Sequence, residues 1–176
     1  MRNFITVNLI LISFLITNAQ NFGLGTSGLY NFQSESIGVG VRTSFFPNNT
    51  LSFVPQFAYY SFLYGTIHEY TIGLGLEYKI KRGIRFTYYV IAHAGHNKWL
   101  NYDESALPDA KSTNWNVEGG IGITTNSCLR PFLEYRYNIK FMETHLRFGL
   151  LYIFGCGGEP RTGGRIGGGK ICPAYH

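Results

Sequence analysis

Charge is scarce in this chain. Aspartate, glutamate, lysine and arginine together make up 14% of its 176 residues, against about 25% in an average soluble domain. Beyond the N-terminus no apolar run reaches the roughly 20 residues that a spanning helix requires, so a helical membrane protein is excluded. The basic surplus is small, a formal +5, falling by the one charge of Arg2 if the leader is removed. That balance does not suggest nucleic acid as a partner. Cysteine is limited to three residues, enough for one disulfide with one thiol left over.

What is present starts with a leader. Arg2 supplies a thin positive region, residues 4–16 are apolar, and Thr17-Asn18-Ala19 places small residues before Gln20. This pattern is that of a cleaved secretory signal peptide over residues 1–19. Its apolar run is too short for an anchor, and no cysteine stands at the new N-terminus for a lipoprotein linkage. The rest is rich in aromatics, 16% of the chain, and carries twenty-two glycines, while mean hydropathy stays near zero.

Residues 70–80, YTIGLGLEYKI, show the dominant pattern. Tyr70, Ile72, Leu74, Leu76, Tyr78 and Ile80 alternate with Thr71, Gly73, Gly75, Glu77 and Lys79. A period of two predicts a strand with one apolar and one polar face. Seven further segments alternate in the same way: 22–32, 37–46, 51–63, 84–95, 114–125, 129–141 and 146–154. Their lengths cluster near the about 9–11 residues of a tilted strand crossing a bilayer. Pro47-Asn48-Asn49, Lys81-Arg82-Gly83 and Asn126-Ser127-Cys128 read as tight turns. Residues 31–36, 64–69 and above all 96–113 read as longer connections on the opposite side. Short periplasmic turns and long outer loops are the habit of outer-membrane barrels.

With its leader, its eight alternating segments and a last strand LRFGLLYIF ending at Phe154, the chain resembles the small eight-stranded outer-membrane barrels of the OmpX, OmpW and OmpA-barrel type. The final aromatic strand is similar to that family's assembly signal, although here twenty-two residues follow it. The resemblance implies an all-β, antiparallel up-and-down transmembrane barrel over residues 20–154, followed by a glycine-rich periplasmic tail over 155–176. It also implies a place in the bacterial outer membrane, with membrane lipid and the barrel-assembly machinery as partners. A soluble lipocalin-like barrel is the fold rival, with the apolar face turned inward around a ligand.

An eight-stranded barrel is just wide enough for side chains to fill it. The polar faces nominate Arg42, Glu77, Arg85, Glu118, Glu134, Arg136 and Arg147 for the lumen. Such charges are expected to pair, since an unpaired buried charge costs several kcal/mol, and the glycines on the same faces leave room for long arginines. The outcome is a charge-plugged lumen, or alternatively a small passive channel whose selectivity these charges set. The favoured role is structural, adhesive or interactive, with Trp99, Leu100 and Tyr102 of the longest loop as outer contacts. Another envelope protein could meet the chain through these loops or the tail.

Other motifs are decoys. Gly23 to Gly28 matches G-x-G-x-x-G but lacks a preceding strand and a following helix. Gly164 to Lys170 matches the start of a phosphate-binding loop, yet Ile171 stands where a magnesium-binding hydroxyl is required. A lipid-modifying outer-membrane enzyme is the second alternative function, although His93 and His96, with Ser105 and Ser112 nearby, lack the motif of such an enzyme, and a metal there would need a third ligand. No cofactor and no catalytic residue are expected. For the disulfide, Cys156–Cys172 is favoured over Cys128–Cys156, because strand parity points Cys128 and Cys156 to opposite faces unless one lies beyond the regular ladder.

Overall fold

The structure is a computed structural model that describes residues 22–62, 68–101 and 112–156. The leader, Tyr102 and the tail from residue 157, Cys172 included, lie outside the described residues. Eight strands follow in order: β1 (Phe22–Asn31), β2 (Ser36–Phe45), β3 (Leu51–Phe62), β4 (His68–Arg82), β5 (Phe86–Leu100), β6 (Thr113–Thr125), β7 (Leu129–Asn138) and β8 (Glu143–Ile153). Each pairs antiparallel with its neighbours, and β1 pairs with β8, from Gly23 opposite Ile153 to Asn31 opposite His145. The sheet is therefore a closed barrel without edges along this seam. β1 has the weakest alternation, FGLGTSGLYN. It forms a strand because partners on both sides satisfy its backbone groups.

The period of two dictates which residues face where. On β4, Ile72, Leu74, Leu76, Tyr78 and Ile80 are all exposed, while Thr71, Glu77 and Lys79 are buried. β7 repeats this, with Leu133, Tyr135 and Tyr137 outside and Arg130, Glu134, Arg136 and Asn138 inside. The barrel is thus apolar outside and polar inside, which rules out the lipocalin-like arrangement. Aromatic pairs mark the outer surface near both rims: Phe22 with Phe45 and Phe154, and Tyr30 with Phe32.

The two ends differ, though less than the sequence suggests. One end, called here the turn end, holds both Phe22 and Cys156 together with the three short connections 46–50, 83–85 and 126–128. At the opposite mouth, the connections after β1 and β7 are also tight, spanning only four residues each, 32–35 and 139–142. They are built alike. Asn31 Oδ1 accepts hydrogen bonds from the backbone of Gln33 and Ser34, and Asn138 Oδ1 accepts from Lys140 and Phe141. Four residues beyond each asparagine, Glu35 and Met142 turn the chain with positive φ. A buried asparagine side chain thus imitates a backbone turn at both sites.

The expected loop over 96–113 is shorter than its sequence implied. β5 continues to Leu100, paired with His68, so Trp99 and Leu100 belong to a strand rather than a loop. β4 and β5, fifteen residues each, are the longest of the eight strands, and at this mouth they run to His68 and Leu100.

The disulfide is a correction. Cys128 is bonded to Cys156, with Cα atoms 5.4 Å apart, within the reach of such a bridge. Both residues lie beyond the regular ladder, so strand parity does not separate them. The carbonyl of Cys128 still accepts from Ile153 N. Gly155, at φ 70°, then turns the chain back so that Cys156 packs on Phe132, Leu151 and Ile153. A side chain at this φ would be strained, so glycine suits the turn.

Candidate functional site

The lumen contains a connected set of charges contributed by alternate residues of five strands, β2, β4, β6, β7 and β8. Lys79 Nζ donates to Glu77 Oε2 at 2.7 Å and to Ser52 Oγ at 3.1 Å. The other oxygen of Glu77 accepts from Arg42 Nη2. Arg42 then crosses the barrel from β2 to β7, where its Nη1 meets Glu134 Oε1 at 2.5 Å. Its guanidinium lies 4.4 Å from the Phe132 ring centroid, a cation–π contact. Glu134 also accepts from Tyr89 Oη at 2.7 Å and from Arg136 Nε and Nη2 at 2.9 and 2.5 Å. Arg136 Nη1 reaches Glu118 at 3.4 Å, and Arg147 Nη2 lies 3.9 Å from the same carboxylate. Arg147 Nη1 ends the chain on Gln56 Oε1 at 2.6 Å.

Glu134 and Arg136 are both 0% exposed. Burial of this depth is tolerable only where each charge has a close partner of opposite sign. Backbone proximity helps. Arg136 passes over Gly120, where a Cβ would stand 2.9 Å from its Cγ. Tyr89 likewise lies against Gly122, where a Cβ would come within 2.7 Å of the phenol oxygen. Without side chains on β6 at these two points, the guanidinium and the phenol can both reach Glu134. Gly38 and Gly73 make comparable room for the rings of Tyr60 and His93.

Six of the seven nominated lumen charges meet in this set: Arg42, Glu77, Glu118, Glu134, Arg136 and Arg147. Arg85 does not. It is exposed in the turn before β5, where its carbonyl accepts from Asn126 N. The alternation read through residues 84 and 85 runs past the end of the ladder, so parity no longer directs that side chain inward. Lys79, Tyr89 and His93 join the set without having been nominated. All three share the polar parity of their strands, the signal that would have included them.

At the mouth opposite the turn end, Glu69 accepts from Asn97 Nδ2 at 3.1 Å and from the Trp99 indole at 3.0 Å. Trp99 also faces Phe141 of the β7–β8 turn, with ring centroids 6.4 Å apart. The indole nominated as an outer contact is therefore half-buried in the rim. Leu100 is exposed at the tip of β5, and Tyr102 lies outside the described residues. Tyr60 Oη and His145 Nδ1 share a hydrogen bond of 3.1 Å below this rim. His93 is buried in the lumen beside Glu118, whereas His96 stacks edge-on against Trp115 on the outer surface. The two histidines thus occupy opposite faces of β5 and do not converge on one ligand.

An apolar exterior around a charged interior defines the class: a small eight-stranded transmembrane β-barrel, of the type found in outer membranes. Solved structures share this fold. Neisserial surface protein A superposes with a TM-score of 0.56 at 14% identity, over 76% of this chain and 97% of that one. The N-terminal β-barrel domain of Pseudomonas aeruginosa OprF gives 0.52 at 16% identity, over 76% and 97%. A barrel from a de novo design of transmembrane β-barrels gives 0.51 at 14%, over 76% and 94%. At these identities the likeness is one of fold. No protein-family model matches the chain, and no curated protein matches it.

Proposed function

We propose that the protein is an integral barrel of the bacterial outer membrane, exported by a cleaved signal peptide, with a non-enzymatic structural, adhesive or interactive role and a lumen closed by its own charges. The carrying observation is the ion-pair set from Lys79 through Arg42, Glu134 and Arg136 to Glu118, which crosses the lumen from β4 and β2 to β7 and β6. Aromatics such as Tyr89 and Phe132 fill space beside it. In this reading the turn end faces the periplasm. The outer ends of β4 and β5, with Trp99 and Leu100, stand on the cell-surface side and present the contact face together with Tyr102. Partners are outer-membrane lipid, the assembly machinery during insertion and another envelope component at the outer face or tail.

Planar-bilayer recording on purified full-length protein tests the closed lumen. The expected result is a silent bilayer at protein concentrations where a general porin conducts. Steady, reproducible unit conductance would support the passive-channel alternative instead.

A further inference from the structure

At the turn end of the lumen lies a cavity of about 10 Å³, room for about one water-sized particle. Its lining includes Arg42, Ser44, Glu77, Lys79 and Arg130, three cations and one carboxylate. The carboxylate is already engaged, since Arg42 Nη2 and Lys79 Nζ occupy its two oxygens. Tyr89, also in the lining, turns its hydroxyl to Glu134.

Two polar atoms of these lining residues find no hydrogen-bond partner among the described residues: Arg42 Nε and Ser44 Oγ. Both residues are deeply buried, at 4% and 1% exposure. They are two apart on β2 and so share its inner face. A guanidinium Nε can only donate, and a serine hydroxyl can turn to donate. The missing group is therefore an acceptor. Charge gives a second constraint. The ion-pair set holds four cations, Arg42, Lys79, Arg136 and Arg147, against three carboxylates, Glu77, Glu118 and Glu134. The difference, 4 − 3, is one positive charge, and Arg130 of the lining, which donates to the neutral oxygens of Ser127, Pro47 and Asn48, is a further cation at this end. A water would satisfy the donors and leave the surplus untouched, whereas a monovalent anion satisfies the donors and offsets one positive charge.

The geometry points to a binding site for one halide ion, chloride in ordinary media, held between Arg42 Nε and Ser44 Oγ in the cationic end of the lumen. The small volume selects a monatomic anion over phosphate or a carboxylate. The site stands whether or not the lumen conducts, so it is separable from the closed-barrel reading.

The test uses full-length protein folded in detergent micelles. Thermal unfolding, read from the mobility difference between folded and unfolded barrel on gels, is followed in sodium chloride, sodium bromide and sodium gluconate at equal ionic strength. A ligand that binds only the folded state raises the midpoint saturably. The expected result is such a rise with chloride and bromide and none with gluconate. In Ser44→Ala, loss of a hydrogen bond to a charged ligand raises the half-saturating halide concentration at least about tenfold. Equal midpoints in the three salts, or an unchanged halide response in Ser44→Ala, would overturn the site. Should that variant fail to fold, anomalous scattering from wild-type crystals grown in bromide decides the matter. A bromide peak between Arg42 and Ser44 supports the site, and a water alone at that position refutes it.

Discussion

Glu134→Gln is the sharpest probe of the lumen. The side chain keeps its volume and loses its charge. In the wild type its two oxygens receive Arg42 at 2.5 Å, Tyr89 at 2.7 Å and Arg136 at 2.9 and 2.5 Å. The amide presents one acceptor and a pair of donors, so the NH2 faces either the Arg42 donor at Oε1 or both Arg136 donors at Oε2. Arg42 is left with Glu77, and Arg136 with Glu118 at 3.4 Å. The charge balance of the set moves from four against three to four against two. Removing one partner of a buried pair costs about 3–5 kcal/mol, and Glu134 is fully buried between two cations. The expected loss lies in that range, read from urea unfolding in micelles by gel mobility and circular dichroism. Glu35→Gln, in an exposed turn, serves as the control and is expected to leave the curve unchanged. A loss below about 1 kcal/mol for Glu134→Gln would show that the network is not held by paired charges. The same variant should raise bilayer conductance if those charges close the lumen.

Three further outcomes are expected. Leu74→Arg, on the outer face near the middle of β4, should destabilise the barrel in lipid vesicles by about 2–4 kcal/mol; no loss there would contradict a lipid-facing exterior. Breaking the Cys128–Cys156 bridge, which spans 28 residues, should cost about 3.5 kcal/mol on the chain-entropy account. In thiol titration of the denatured, unreduced chain, one free thiol is expected from the three cysteines, and a count of three would refute the bridge. Gly122→Val should push Tyr89 off Glu134 and cost about 1–3 kcal/mol by overpacking, visible as a lowered unfolding midpoint with the barrel still formed.

The architecture was legible because a strand's side chains alternate and a membrane barrel separates apolar from polar along that alternation. Residues 70–80 announce β4 without any partner, and the last strand at residues 146–154 does the same for β8. β1 was faint for a physical reason. Gly25, Gly28 and Ser27 carry little hydropathy contrast, and their place is set by neighbours on both sides. Arg85 was misplaced because a parity pattern has no mark at which the ladder stops. The disulfide was misjudged for a related reason: parity governs paired residues only, and both cysteines sit just past the pairing.

By itself the sequence determined the strands, their number and the separation of an apolar from a polar face, since these depend on neighbours along the chain. It left open which face is inside, and the closed structure decided that by burying the polar one. Tertiary structure alone also chose who pairs with whom. Arg42 meets Glu134 across a sequence separation of 92 because closure brings β2 and β7 to opposite sides of one narrow lumen. It also stopped the ladder at Phe86, extended β5 to Leu100 and folded Cys156 back onto Cys128. Each of these depends on which strands become neighbours in space, and a pattern repeating along one strand does not encode that.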